Sequence, residues 1–435
     1  MPIKNQKDIL AKLKIDQLNP MQQEAQTTIQ SMDNVVLLSP TGTGKTLAFL
    51  LPIIETLDPE CEEVQAMILV PSRELAIQIE SVVREMGTGY KVNAVYGGRS
   101  GSKEKVELKH LPAILIGTPG RVADHMRRGR FSTRHLKTLV LDEFDKSLEV
   151  GFEDEMMEII GFLRFLKKRI LTSATQGVEI PSFVGLTKPT TIDYLNQGTS
   201  QLEIKRILSP EKDKLETLLK ALNHIGNQPG IVFCNFKDTI ERVSDFLSDN
   251  GIAHGCFYGG MEQIDRERTL IKFRNGTNQL IIATDLAARG LDIPELGFIL
   301  HYHLPHKAEE FTHRNGRTAR MNNKGTAYLL QWDQEPIPEY MDKSIAIEEL
   351  SEAPVTNPSD WKTLFISGGR KDKISKGDIA GTFFKQAQLK KDELGTIEIK
   401  SDCAFVAVKA SKAKTAIKML DNIRIKKKKV RVNLA

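Results

Sequence analysis

Ser39-Pro40-Thr41-Gly42-Thr43-Gly44-Lys45-Thr46 is the stretch on which the reading of this chain turns. A short apolar run, Val35-Val36-Leu37-Leu38, precedes it, and Leu47-Ala48-Phe49-Leu50-Leu51 follows with the character of a buried helix. Strand, glycine-bearing turn and helix together make a phosphate site. Glycines let backbone N–H groups converge on an anion, and the helix N-terminus adds its dipole. Lys45 brings a mobile positive charge for β- and γ-phosphates, and the Thr46 hydroxyl can ligate Mg²⁺. The strict phosphate-loop pattern has Gly where this chain has Ser39, but Thr41, Gly42, Thr43, Gly44, Lys45 and Thr46 keep its physics.

Working outward, short apolar runs recur at Met67–Val70, Ile114–Ile116, Leu139–Leu141 and Ile170-Leu171, with helix-like segments between them. Unalternated strands separated by helices predict a parallel α/β sheet. Ligands of such sheets sit beyond the strand C-terminal ends. After Leu141 comes Asp142-Glu143-Phe144-Asp145. Asp142 suits a Mg²⁺ ligand, and Glu143 suits the base that orients and deprotonates an attacking water. After Leu171 comes Thr172-Ser173-Ala174-Thr175, whose hydroxyls can hold a neighbouring carboxylate such as Asp145. Three more patches follow strands: Pro71–Ala76 with Arg73, Gly97-Gly98-Arg99, and Thr118-Pro119-Gly120-Arg121. Their guanidiniums, hydroxyls and glycine N–H groups can meet phosphates. Near the start, Gln22 carries an amide of the kind that pairs with the N6/N7 edge of adenine.

The rhythm restarts at Gly230–Phe233, Leu280–Ala283, Phe298–Leu300 and Gly325–Leu330, without a second phosphate loop. A second sheet without its own loop suggests a partner domain that closes over a ligand held by the first. Thr284–Asp292 and His313–Arg320 support closure. Residues three apart share a helix face, so Arg314, Arg317 and Arg320 are expected to project together. Guanidiniums aimed at a γ-phosphate are worth about 10³–10⁵ in rate.

Composition sets the bounds. The chain has 435 residues, 27% charged and 40% hydrophobic, a soluble globular balance. It begins with a polar segment unlike a secretory signal, and no apolar run approaches the ~18–20 residues that span a bilayer. Cys61, Cys234, Cys256 and Cys403 lack zinc-ligand or redox-pair spacing and fit a reducing cytosol. Residues 361–435 hold 19 Lys and Arg against 7 Asp and Glu, a net of +12 in a chain of net +5, which leaves −7 for residues 1–360. A basic tail on an acidic body points to an appended polyanion-binding module.

In the tail, strands at Thr363–Ser367, Gly395–Ile399, Cys403–Val408 and Val430–Leu434 alternate with helices at Lys376–Lys385, capped by Gly377-Asp378, and Ser411–Leu420. The order βαββαβ fits an RNA-recognition-motif sheet. Alternation sets Leu364 and Ile366 against Phe365, and Ala404, Val406 and Val408 against Phe405. With the first set as core, Phe365 and Phe405 are expected to be exposed and to stack on bases at ~1–3 kcal/mol each. Lys426, Lys427, Lys428 and Lys429 are candidates for phosphate contacts.

The ordered set of motifs over roughly residues 15–335 resembles the DEAD-box RNA helicases. The resemblance implies two tandem RecA-like parallel-sheet domains, an ATP hydrolase using ATP and Mg²⁺, and RNA as partner. Gln22 falls at the adenine-reading glutamine, Asp142–Asp145 at the Asp-Glu-Ala-Asp box, and Ser173–Thr175 at the Ser-Ala-Thr motif. Arg73, Gly97, Gly98, Arg99, Thr118, Gly120 and Arg121 fall on RNA-facing loops. So do Gln263, Arg266, Thr284 and Arg289. By the same resemblance Gly290 and Asp292 contact nucleotide, Arg317 and Arg320 are arginine fingers, and Asp145, Ser173, Thr175, His313 and Arg314 couple the sites. The departures are Phe144 for the box alanine, Ala319 for a glycine, Ser39 for the loop alanine, and Asn5 where the family usually carries an aromatic that stacks on adenine.

The tail behind such a core resembles the DbpA family of bacterial helicases, whose C-terminal domain recognises a hairpin of large-subunit ribosomal RNA during ribosome assembly. The expectation is therefore a cytoplasmic helicase acting on large-subunit ribosomal RNA and pre-ribosomal particles. No membrane and no obligate protein partner are implied. Its domains would be 1–197, 202–342, a linker 343–360, and an α+β RRM-like domain 361–435. A general DEAD-box helicase of RNA decay or cold adaptation, and an RNA clamp or annealing protein that does not hydrolyse, are the alternatives.

Overall fold

The computed structural model describes residues 5–98, 101–149, 151–175, 179–195, 201–285, 296–318, 324–351 and 359–435. The chain divides near residue 200 into two compact units.

The first unit is built on seven parallel strands: β1 (Asn34–Leu38), β2 (Ala66–Leu69), β3 (Val92–Val95), β4 (Ile114–Gly117), β5 (Thr138–Leu141), β6 (Lys168–Ser173) and β7 (Thr190–Asp193). Their order is β3-β4-β2-β5-β6-β1-β7. β2 to β5 are buried along their whole length, as expected of strands covered by helices on both faces. Alternate strand residues feed two apolar layers. Val35, Leu37 and Ile68 pack beneath the helix Lys45–Thr56, and Val36, Met67 and Leu69 pack on the opposite face. Parallel pairing puts every motif-bearing loop at one edge. From one end these are Gly97-Gly98, Thr118, Arg73, Asp142-Glu143, Ser173–Thr175 and the Ser39–Thr46 loop.

The second unit carries β8 (Gln201–Ser209), β9 (Gly230–Phe233), β10 (Gly255–Phe257), β11 (Leu280–Ala283), β12 (Phe298–His301) and β13 (Lys324–Trp332) in the order β10-β11-β9-β12-β13-β8. All of its pairings are parallel.

The same unit includes the tail, with β14 (Trp361–Ile366), β15 (Leu394–Ile399), β16 (Ala404–Lys409), β17 (Arg424–Ile425), β18 (Lys428–Lys429) and β19 (Val432–Leu434). Four of these form an antiparallel sheet, β15-β16-β14-β19. Leu364, Ile366, Ala404, Val406 and Val408 face the helices Lys376–Lys385 and Ala410–Leu420, as alternation predicts. The first of these helices is capped not by Gly377 but by Ser375, which forms a reciprocal capping box with Asp378.

The other face of that sheet departs from expectation. Phe365 pairs across from Phe405, Thr363 from Ala407 and Glu398 from Phe405, so all five lie on one face. The end of the helix Gln263–Arg274 sits over it. Arg274 grips Glu398 at 2.8 and 3.0 Å, Asn275 Nδ2 donates to Thr363 Oγ1 at 3.2 Å, and the Thr277 and Thr363 hydroxyls are 2.7 Å apart. Lys400 and Glu267 add a 3.5 Å pair. Phe405 is left 5% exposed, its ring set edge-on to Phe365 with centroids 5.6 Å apart. Phe405 is therefore not an open stacking ring here. Local alternation chooses its face, but a distant helix covers that face.

Candidate active site

The phosphate loop is held in shape by its own side chains. Gly42 and Gly44 adopt φ of +84° and +87°, where a Cβ is strained. Ser39, the residue that breaks the loop pattern, is fully buried, and its Oγ lies 2.8 Å from Thr43 Oγ1, which in turn donates to Pro40 O at 2.9 Å. Lys45 folds over the loop and donates to Ser39 O and, at 3.0 Å, to Pro40 O. Its ammonium thus rests on carbonyls where phosphate oxygens would be stronger acceptors.

Gln22 bears on the same loop. Its Nε2 donates to Gly44 O at 3.2 Å and its Oε1 accepts from Asn19 N at 3.1 Å, while Asn19 Nδ2 donates to Thr43 O at 3.0 Å. The glutamine expected to read adenine is here the third residue of a capping box, bound to the loop backbone. Asn19 is a site residue that the sequence reading passed over. Its signal was the Asn-Pro-x-Gln pattern of a helix start.

Two strands away, across β6, is the carboxylate cluster. Asp142 is 3% exposed and accepts from Thr172 Oγ1. Burial, and then the neighbouring Glu143 charge, push Asp142 up to about 6, against the Thr172 bond and the Lys45 charge. Glu143 has φ +50°, a left-handed conformation uncommon outside glycine, and its N–H donates to Thr172 Oγ1 at 3.2 Å. Thr172 therefore ties both acids together, a role not assigned from sequence although the residue opens the quoted hydroxyl run. Thr175 Oγ1 donates to Asp145 Oδ2 at 3.1 Å, and Ser173 Oγ accepts from Thr175 N at 3.0 Å. Thr175 thus holds the Asp145 carboxylate directly, with Ser173 bracing Thr175 behind it. Phe144 is buried at 4% in the core, so its bulk is absorbed.

The far end of the edge brings Arg73 onto the Gly97-Gly98 turn, where a Cβ at Gly98 would stand 2.6 Å from Arg73 Nη1. Thr118 is buried at the start of the helix Pro119–Arg127, with Gly120 beside it. Arg121 is bound by Glu104 at 2.6 Å and Asp124 at 3.1 Å. Burial raises the Glu104 pKa, but its bonds to His125 and Arg121 outweigh that and hold it below the ordinary range.

In the second unit Arg314 is 1% exposed. It donates to Asp285 Oδ1 at 2.6 Å, to Asn235 Oδ1 at 2.8 Å and to His303 O at 2.8 Å. Burial, then Arg314, drives His301 down to about 3, so its neutral ring sits against this guanidinium. The expected shared face of Arg314 and Arg317 does not form. The helix Ala308–Asn315 stops between them, and Arg317 lies in the following turn with its N–H on Arg314 O at 3.1 Å. His313 is half-buried on that helix. Gln263 opens the helix that ends on the tail sheet, and Arg266 stacks over the Phe257 ring at 4.5 Å. Thr284 follows β11. In the tail, Lys426 pairs with Asp378 at 2.7 Å and Lys428 with Asp372 at 3.6 Å, while Lys427 and Lys429 are exposed. Arg99, Arg289, Gly290, Asp292 and Arg320 lie outside the described residues.

Three family signatures match in order: DEAD/DEAH box helicase over residues 19–182, helicase conserved C-terminal domain over 213–322, and DbpA RNA binding domain over 363–434. The ATP-dependent RNA helicase DbpA of Escherichia coli is 32% identical over 430 residues, 96% of this chain and 94% of that one. The chain belongs to the DbpA family of DEAD-box helicases. A DbpA of Bacillus subtilis is likewise 32% identical, over 92% of this chain and 91% of its own. Among solved structures, S. cerevisiae Dbp5 bound to RNA and ADP BeF3 superposes with a TM-score of 0.67 at 27% identity, covering 76% of this chain and 88% of that one. Mss116p bound to ssRNA and AMP-PNP gives 0.68 at 26%, covering 75% and 72%. This DbpA-family chain is an ATP-hydrolysing RNA helicase of two RecA-like domains with an RRM-like C-terminal domain. Among the described residues no helix is long and apolar enough to cross a membrane.

Proposed function

We propose that this helicase acts on large-subunit ribosomal RNA in ribosome assembly, in the cytoplasm, with residues 361–435 as the module that holds it on target. The observation that carries this is the tail: net +12 on a body of −7, in a domain matched by the DbpA RNA binding signature. The working domain limits are 1–197, 202–342 and 361–435, joined by 343–360.

In the reaction, Glu143 takes the proton of a water that attacks the γ-phosphorus, and ADP leaves with the bond electrons. Lys45, Arg317 and Arg320 balance the charge that spreads over the transferring group. Gly290 and Asp292 bind nucleotide as well. Mg²⁺ normally takes one or two protein oxygens and fills its shell with water and phosphate. The Asp142 carboxylate and Thr46 hydroxyl fit that sparse donor set. When bound, the ion supplies Lewis-acid neutralisation of phosphate charge. Arg73, Gly97, Gly98, Arg99, Thr118, Gly120 and Arg121 of the first domain hold the RNA backbone, as do Gln263, Arg266, Thr284 and Arg289 of the second. Lys427 and Lys429 add tail contacts.

The test is the ATPase rate of the full chain across an RNA panel. Selective stimulation by large-subunit fragments supports this reading. Equal stimulation by all RNAs of similar length supports a general helicase instead. With Glu143→Gln, RNA binding stays and RNA-stimulated turnover falls at least about 100-fold; unchanged turnover rejects the catalytic assignment.

A further inference from the structure

The C-terminal edge of the second sheet presents a row of three rings and one hydroxyl. Tyr258 follows β10, Thr284 follows β11, Phe236 follows β9 and His303 follows β12, and those four strands are neighbours in that order. The strand ends are cross-tied there. Thr284 N donates to Phe257 O, Cys234 N to Ala283 O, and Tyr302 N to Phe233 O.

Phe236 stands out in this row. It is 62% exposed and packs into none of the hydrophobic clusters among the described residues. It also occupies the N-cap of the helix Lys237–Asp249 with extended backbone, φ −125° and ψ 147°, and makes no capping bond. Ser, Thr, Asn or Asp there would satisfy an orphan N–H, and phenylalanine cannot. Neither the core nor the helix gains from this side chain. Its ring is nonetheless held in place. The His303 ring meets it edge-on with centroids 5.8 Å apart, and His303 Nδ1 is pinned by Asn235 N–H at 3.2 Å. Next in sequence, Lys237 carries its ammonium over the Tyr258 ring at 5.7 Å. An exposed, braced aromatic beside a cation, on an edge that also carries Thr284, has the chemistry of a base-stacking platform.

We infer that Phe236 stacks on a base of single-stranded RNA held along the second domain, adding a base contact to a backbone grip. This rests on the reading of Thr284, Gln263 and Arg266 as RNA contacts. Stacking is indifferent to base identity, so the contact would add affinity and fix the strand's register without reading sequence.

The test uses the full chain with a non-hydrolysable ATP analogue, Mg²⁺ and a fluorescein-labelled ten-nucleotide oligoadenylate, measured by anisotropy. Phe236→Ser should weaken binding about 5- to 100-fold, while the thermal midpoint of the nucleotide-free chain rises because the helix gains a cap. Phe236→Trp should keep the affinity. An abasic residue walked along the strand should, at one position, weaken the wild type and leave Phe236→Ser unaffected. Unchanged binding by Phe236→Ser overturns the inference, as does an equal loss on intact and abasic strands at every position. A wild-type chain that binds no oligoadenylate under these conditions instead rejects the RNA contacts on which the inference rests.

Discussion

Arg274 and Glu398, 124 residues apart, form a two-pronged ion pair with N···O distances of 2.8 and 3.0 Å that fastens the last turn of a helicase-domain helix to the tail sheet. Both side chains are about three-quarters buried or more. A charge-assisted fork of this kind contributes about 1.5–3 kcal/mol. Reversing either charge, as Arg274→Glu or Glu398→Arg, should speed hydrogen exchange at Thr363–Phe365 and lower the thermal midpoint. The double swap should restore much of both. Absence of any recovery in the swap would show that the pair does not couple the two domains.

Asp142 gives a stability prediction with a pH window. Its folded pKa is raised to about 6 from 3.8, chiefly by burial. The contribution is therefore fully present below about pH 4 and is lost as pH rises through about 6, leaving the nucleotide-free chain roughly 3 kcal/mol less stable at neutral pH. Asp142→Asn should raise the melting temperature at pH 7.5, with the difference closing toward pH 4, while turnover is abolished. Melting curves across that range check the window.

Gly44→Ala should be costly twice. The backbone sits at φ +87°, and the new Cβ would collide with Gln22 Nε2. The conformation alone costs about 1–2 kcal/mol. Displacing Gln22 also loosens the loop. The expected result is at least about a tenfold rise in the KM for ATP, since each 1.4 kcal/mol is a factor of ten. Steady-state ATPase titrations measure it.

Arg314→Ala should behave as a folding defect rather than a clean catalytic variant. It would leave Asp285 without its fork and open a void beside His301. Removing one partner of a buried pair costs about 3–5 kcal/mol. Arg314→Lys should recover only part of that, because an ammonium cannot bridge Asp285, Asn235 and His303 O together. Urea melts of the three proteins rank them.

Much of this protein is legible in its residues because the signals are local. The run from Val35 to Leu51 names strand, turn and helix, since glycine placement and apolar runs act over a few residues. Parallel strands then put Asp142, Ser173 and Thr175 at the same edge as Lys45 as a matter of topology. Alternation likewise gave the core face of the tail, Leu364 and Ile366 against Phe365.

Tertiary structure decided what those local rules cannot reach. Helical spacing grouped Arg314 with Arg317, yet the helix ends at Asn315 and Arg314 turns inward to Asp285. Alternation put Phe405 opposite the core, yet the helix Gln263–Arg274 closes over it. Thr172 became the hinge of the acid pair only because β5 and β6 are neighbours. Periodicity fixes the face on which a side chain leaves its own element. Whether that face meets water, a carboxylate or another domain depends on contacts between residues far apart in the chain.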